Sequence, residues 1–227
     1  MKMPGMKFTM EVTTKDVSSD GDITYESLIS DASVVEEPGA MPQMAEAMKS
    51  ALDSIKGLAG TGTISSRGLD KGSQFKIAPD ADPQVRQAME QMKDTLANIS
   101  VPFPEEPVGP GAKWEAQRQV KSQGMTIDQT TSYELASLEG ERATIKNTIT
   151  QHAANQKIEN PAMPGIKVDL TKLDGTGKAT LTNDLTRVLP TSGSIDSHTD
   201  MIMGMNLGPQ KQAMTMKLDV SITLESK

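Results

Sequence analysis

The sequence contains no cysteine, and its aromatic residues are few: one Trp, two Tyr and three Phe among 227 residues. The absence of cysteine excludes disulfides, thiolate nucleophiles and cysteine-based zinc sites. The scarcity of aromatic side chains removes the stacking platform that accompanies paired carboxylates in glycosidases. Methionine is abundant, with 16 residues, so a hydrophobic core must be built from Met, Leu, Ile, Val and Ala.

Basic clusters and long apolar runs are also missing. The chain carries 23 Lys and Arg against 30 Asp and Glu, for a net charge of −7. A nucleic-acid-binding protein needs a basic face that neutralises phosphates, so we expect no nucleic-acid partner. No apolar run reaches the length of about 18 residues that a membrane-spanning helix needs, so we expect no transmembrane segment.

Period-two alternation of apolar and polar side chains is the strongest pattern. It is clearest at both ends of the sequence, in residues 6–13 and 213–225. Successive side chains of a strand point to opposite faces, so this pattern predicts antiparallel strands with one apolar and one solvated face. We expect the two terminal strands to belong to the same sheet. Further strands are predicted at 22–31, 60–67, 72–77, 114–121, 125–136, 142–151, 166–171, 177–183 and 194–207.

Two segments have helical rather than strand periodicity. Residues 42–57 place Met44, Met48, Leu52 and Ile55 on one stripe, and residues 82–99 form a similar stripe. Pro42 suits the first turn of the first helix, while Asp82 and Pro83 suit the start of the second. The two helices are expected to cover the apolar face of the sheet.

These elements predict a mainly β fold, a curved antiparallel sheet or half-barrel with two short helices on its apolar face. The G-T-G of residues 57–68 recurs in residues 172–184, which indicates two pseudo-repeated halves. We divide the chain into 1–100 and 101–227 and expect one compact unit. The second half opens with prolines at 102, 104, 107 and 110, followed by Trp114, which we expect to be a buried anchor.

No catalytic, metal or cofactor motif is complete. His152 and His198 have no companion at metal-ligand spacing, and no G-x-S-x-G nucleophile motif occurs. The phosphate-loop-like residues 174–180 lack the first Gly and the Ser or Thr that the motif needs, so we interpret them as a turn. Residues 16–27 resemble a calcium loop without its final Glu, and an Asp-Gly hairpin turn explains them equally. We therefore expect no cofactor, no metal and no enzymatic activity.

The methionines admit three interpretations. They fill an irregular core, they line a plastic apolar pocket for a lipid-like ligand, or they bind Cu(I) through soft thioether sulfurs. The second interpretation requires the stripes of both helices to face a methionine-rich strand. Its ligand-binding residues are Met44, Met48, Met89, Met92, Leu96, Met201, Met203 and Met205.

One stretch of the second half resembles a known family. The stretch combines a P-x-x-x-V-x-x-G-x-x-W segment, a strand pair and a G-x-G-x-x-x-L strand, and it resembles a family of uncharacterised bacterial extracytoplasmic β domains, secreted or lipoprotein-like. The predicted topology is more loosely similar to the lipoprotein-carrier half-barrels. The residues that carry the family resemblance are Pro104, Val108, Gly111, Trp114, Tyr133, Leu135, Glu139, Gly140, Ile145, Gly175, Gly177 and Leu181.

The resemblance implies a periplasmic or secreted location, and residues 1–12 contain no signal peptide, so this location implies a leader removed before Met1. We expect a non-enzymatic extracytoplasmic binding module, in its most specific form a carrier of a hydrophobic or lipid-like ligand between helices and sheet. The alternative is a structural or assembly protein with a filled core, a protein partner and no ligand.

Overall fold

The computed structural model describes residues 3–35, 38–39, 42–77, 86, 89, 99–122, 124–159, 167–207 and 210–226. The chain divides into two compact units, Met1–Phe103 and Pro104–Lys227, and each contains one antiparallel sheet. The predicted mainly β, antiparallel fold is confirmed. The prediction that both terminal strands share a sheet is wrong, since the first and last strands are edges of different sheets.

The first unit is a four-stranded meander that also contains the helix α1. Its elements are β1 (Gly5–Val17), β2 (Ile23–Val35), α1 (Pro42–Asp53), β3 (Ala59–Ile64) and β4 (Asp70–Phe75), and the strands lie in the order β1-β2-β3-β4. Residues 18–22 form the tight turn between β1 and β2. Gly21 adopts a φ of 81° there, and the Asp22 N–H donates to Ser18 Oγ. The residues that resemble a calcium loop therefore form the predicted hairpin turn.

The helix packs on the apolar face of this sheet, as predicted. Leu52 and Ile55 join Ile29 and Ala32 of β2 in one buried cluster. The chain beyond the helix is fastened to the same strand, because the Gly57 N–H donates to the Ile29 carbonyl over 2.8 Å. Most of the second predicted helix, 82–99, lies outside the described residues; Arg86, Met89 and Ile99 are described and helical.

The second unit is a six-stranded meander. Its strands are β5 (Lys113–Ser122), β6 (Met125–Glu139), β7 (Arg142–Glu159), β8 (Lys167–Asp184), β9 (Ser192–Leu207) and β10 (Gln210–Glu225). They lie in the order β10-β9-β8-β7-β6-β5. On β6 every second side chain from Met125 to Leu135 is buried. We call the face of the sheet that carries these side chains the inner face and the opposite one the outer face.

The segment predicted as two short strands separated by a turn, 166–171 and 177–183, is one 18-residue strand, β8. Gly175 and Gly177 lie in the middle of this strand rather than in a turn. A Cβ atom on Gly175 would approach Gln151 Oε1 to 2.7 Å, so glycine is needed there to make room for the glutamine of β7. Gly175 therefore leaves space for a side chain of the neighbouring strand, and it does not form the turn that the sequence suggested.

Trp114 lies at the start of β5, where the proline-containing segment ends. It is partly buried, and its ring stacks on that of Tyr133 with 5.5 Å between centroids and 11° between planes. Tyr133 itself is buried, and burial raises the pKa of its hydroxyl. The prediction of an anchor at this position agrees with the stacked pair, although Trp114 keeps part of its surface exposed.

Candidate functional site

The methionines predicted on the helices belong to the first unit. Met44 and Met48 are partly buried on α1, whereas Met89 is almost completely buried. Met89 belongs to the cluster that contains Leu52, Ile55 and Ile29, so it fills the core of this unit. Met92 and Leu96 lie outside the described residues.

The methionines predicted on a strand belong to the second unit, where they meet two others. Met201 and Met203 lie on the inner face of β9, directly opposite Met216 and Met214 of β10. Side chains opposite each other on antiparallel strands have Cβ atoms about 4.5–5.5 Å apart. These four residues, Met201, Met203, Met214 and Met216, form what we call the methionine patch. Met205 extends β9 opposite Val168, and its side chain is outside the described part.

The methionine patch continues a buried core. Met201 and Met203 pack against a cluster that includes Leu170 and Leu173 of β8 and Ile127 of β6. The patch itself is more open than this cluster: Met201, Met203 and Met214 are partly buried, and Met216 is 41% exposed. The side chains of the inner face are therefore buried on β6–β8 and more accessible on β9–β10.

The predicted ligand-binding residues thus fall into two groups, one in each unit, and neither unit contains the full set. Sequence periodicity grouped these methionines with other apolar residues, and the structure packs Met89, Met201 and Met203 against buried apolar clusters. Periodicity could not show which sheet each methionine belongs to, because the same alternation occurs in both units. Met214 and Met216 belong to the predicted strand 213–225 but not to the predicted ligand-binding residues, and their pairing with β9 brings them into the candidate site.

A row of polar side chains crosses the inner face beside the methionine patch. Arg118, Gln129, Gln151, Gly175 and Thr199 are successive cross-strand neighbours from β5 to β9. The side-chain amides of Gln129 and Gln151 lie 2.8 Å apart. The Arg118 guanidinium lies 2.9 Å from the Gln129 amide and can only donate, so Gln129 turns its oxygen toward Arg118. We call these five residues the amide row.

Two polar side chains of the inner face, Gln129 of the amide row and Asn147 near it, are buried. Gln129 is 3% exposed and Asn147, on the same face of β7, is 7% exposed. The Asn147 Oδ1 atom accepts no hydrogen bond from the described residues. A buried acceptor without a partner costs about 1–3 kcal/mol, so this face keeps a polar group at the expense of stability.

The outer face of the same sheet carries an ionic network. His198 contacts Asp219 of β10 at 2.6 Å and Asp200 of its own strand at 3.2 Å. His152 contacts Asp174 at 2.9 Å, and Lys172 pairs with the same carboxylate. The hydrogen bonds to Asp219 and Asp200 raise the pKa of His198, and the hydrogen bonds from Lys172 and His152 lower the pKa of Asp174.

This network consists of ion pairs between exposed side chains. The side chains of both histidines are more than two-fifths exposed, and within the described residues each bonds only to carboxylates. No group of three or more His, Cys, Asp or Glu is arranged to hold a metal ion in the described ranges.

No helix in the described part is both long enough and apolar enough to span a membrane.

Comparisons with known proteins bear on part of the chain. The chain matches no curated protein and no solved structure. The residues that carry the family resemblance, from Pro104 to Leu181, all lie in a segment that does match a family model. Residues 84–190 of this chain are similar to the DUF6263 family, a family of unknown function.

Proposed function

We propose that this chain is a non-enzymatic binding module whose ligand, hydrophobic or lipid-like, docks on the methionine patch. The observation that carries this proposal is the pairing of two Met-x-Met segments on neighbouring strands, with their side chains accessible and next to a buried cluster. An accessible apolar surface that continues a core is a common feature of ligand-binding grooves.

Methionine suits this role because its unbranched thioether side chain repacks around ligands of different shape. The accessible apolar surface extends past the patch along β10, where Leu218 is 45% exposed and Val220 is 37% exposed. An elongated apolar ligand could therefore lie along β9 and β10 without displacing the buried residues of β6–β8.

The amide row brings polar groups to the side of this surface. Thr199 lies two residues from Met201 on the same strand and opposite Gly175, so the partly buried end of the row adjoins the methionine patch. Amide and hydroxyl groups bind neutral polar groups of a ligand and fix its orientation. We infer that the ligand is amphipathic, with an apolar chain on the patch and a polar group directed toward Thr199.

The experiment compares two substitutions on adjacent residues of β9. Met203→Gln places an amide on the inner face, and Ile202→Gln makes the same kind of change on the outer face. An apolar fluorescent probe such as N-phenyl-1-naphthylamine should bind the parent and the Ile202 variant similarly. It should bind the Met203 variant about tenfold more weakly, as expected for a loss of roughly 1.4 kcal/mol of apolar contact.

Native mass spectrometry of protein from its own host provides an independent measurement. We expect a co-purifying lipid-like molecule whose amount falls in the Met203 variant. A parent protein that binds no probe and carries no such molecule would refute the ligand proposal.

We propose a location outside the cytoplasm, supported by the resemblance of residues 101–227 to extracytoplasmic β domains. Fractionation of the native host tests this location directly, because the protein should separate with periplasmic or secreted proteins. Recovery with cytoplasmic markers would contradict it.

A structural or assembly protein is the second candidate, and one observation favours it. β10 is an edge strand with exposed apolar side chains, and such edges are suited to pairing with another strand. A protein of this kind would have no ligand, so the probe and mass measurements separate the two candidates.

A further inference from the structure

The edge strand β10 has no bulge, which is one of the features that hinder strands of different molecules from pairing. It pairs with β9 alone among the described elements, over 16 residues with no register shift. The edge strand of the other sheet, β1, has shifts between Thr9 and Met10 and between Thr14 and Asp16. Bulges of this kind bend an edge and hinder pairing, so β10 is a more regular edge than β1.

The inner-face side chains of β10 form an apolar row that the sheet leaves exposed. Met216, Leu218 and Val220 are 41%, 45% and 37% exposed. A strand added along this edge would cover these side chains on the side away from β9. The added strand must therefore present apolar residues with the same alternation.

The charges of β10 are arranged symmetrically about Leu218. Lys217 and Asp219 flank this residue, and Lys211 and Glu225 lie seven positions away on either side. In an antiparallel pair of identical strands centred on Leu218, Lys217 of one copy lies opposite Asp219 of the other. The same register sets Lys211 opposite Glu225. Opposite charges at facing positions stabilise antiparallel pairs, and like charges destabilise them.

We propose that β10 pairs with β10 of a second copy of this chain, antiparallel, with the two-fold axis at Leu218. The pairing joins the two six-stranded sheets edge to edge and is self-complementary, as a two-fold interface must be. Leu218 then faces its own copy, and Met216 faces Val220, so the two apolar rows meet on one face. The inference rests on the edge, the exposed apolar row and the charges of β10, and it requires no bound ligand.

The outer-face network supports this register. Asp219 contacts His198, and Lys217 lies 3.4 Å from Asp200. The side chains of Asp219 and Lys217 are 82% and 69% exposed. They can therefore contact a second molecule and still keep their contacts with β9. The pairing would thus extend an ionic row that already crosses β7 to β10.

The first experiment measures the mass of the full-length chain by sedimentation over a range of concentrations. We expect a dimer that Leu218→Lys dissociates, because the substitution sets two ammonium groups opposite each other at the axis. The dissociation constant should rise about tenfold or more. Thr215→Lys is the control: it adds the same charge on the outer face of β10, opposite Ser221 in the proposed register, and should leave the dimer intact.

The second experiment tests the register and uses the absence of cysteine from the chain. Leu218→Cys places two thiols at facing positions, where Cα spacing lies in the range of about 4.4–6.8 Å that a disulfide needs. We expect an oxidant to link the two copies. Val220→Cys, on the same face of the same strand, is offset from its copy by four residues, which is more than about 10 Å, and should not link.

Three results would overturn the proposal. The parent chain could remain a monomer at every concentration. The dimer could survive Leu218→Lys, which would place its interface elsewhere. The two cysteine variants could link equally well, which would contradict a register centred on Leu218.

Discussion

Single residues on the buried faces decide how closely neighbouring strands can pack, and Gly62 is the clearest case. A Cβ atom at this position would overlap the Tyr25 hydroxyl oxygen and lie 2.5 Å from the ring carbon that bears it. The tyrosine ring thus lies across the glycine of the next strand. Its burial raises the pKa of the Tyr25 hydroxyl, which is consistent with a ring held against the sheet.

We therefore expect Gly62→Ala to lower the free energy of unfolding by about 1–3 kcal/mol, because Tyr25 or the strand must shift. Gly109→Ala is the control, since nothing lies within 4 Å of its Cβ position, and its effect should stay within about 0.5 kcal/mol. Denaturant titration of both variants measures the difference. Equal stabilities would show that Tyr25 moves aside at little cost.

The ionic contacts of His198 predict its titration. Hydrogen bonds to Asp219 and Asp200 raise its pKa above the ordinary value of 6.5. The protonated ring therefore favours the folded state below pH 6.5, and this contribution disappears as the pH rises through the folded-state pKa. Because the side chain is exposed, the contribution to stability is small and the titration itself is the better measurement.

NMR titration of the imidazole signals should show the His198 pKa falling toward 6.5 in Asp219→Asn. Ser221→Ala is the matched control on the same face of β10, because Ser221 bonds to Asp196 rather than to the histidine. An Asp219 variant in which His198 titrates as in the parent would refute the contact with Asp219 as a cause of the raised pKa.

At the scale of elements, periodicity predicted the strands well and failed where glycine or a local irregularity interrupted it. The alternating residues 125–136 correspond to β6, and 194–207 correspond to β9. β8 was divided in two because Gly175 and Gly177 resemble turn residues, although they accommodate Gln151 and its neighbours. β7 extends to Glu159 rather than to 151, and the positive φ of Asn155 marks the place where its alternation is lost.

The candidate site could be predicted only in part, for a related reason. Alternation indicates which residues share a face of a strand, so Met201 and Met203 were placed together. The side chains that cross the sheet beside them, Gln129 and Gln151, were not recognised, because polar residues at alternating positions predict a solvated face. The burial of Gln129 and Gln151 depends on which residues lie opposite them on the neighbouring strands, here Arg118 and Gly175. The sequence around each glutamine does not reveal these partners.

At the scale of the whole molecule, the division into two compact units predicts separate unfolding. Leu52 is buried in the first unit and Leu173 in the second, and either Leu→Ala change should cost its unit about 2–5 kcal/mol. Trp114 is the only tryptophan and belongs to the second unit. Its fluorescence should therefore report Leu173→Ala and not Leu52→Ala.

Circular dichroism, which detects both sheets, should show a shifted transition in both variants. Fluorescence and dichroism that shift together in Leu52→Ala would mean that the units unfold as one cooperative system. The predicted halves of the sequence, 1–100 and 101–227, stay a prediction until the two transitions are measured.

The strand order of the six-stranded sheet affects how this sheet folds. Every strand from β5 to β10 pairs with its neighbour in the sequence, so each new strand closes only a short loop, and short loops cost little entropy. A sheet of this kind can grow hairpin by hairpin and should fold faster than β proteins with distant pairings. During synthesis β9 would be the temporary edge of the sheet until β10 leaves the ribosome and pairs with it.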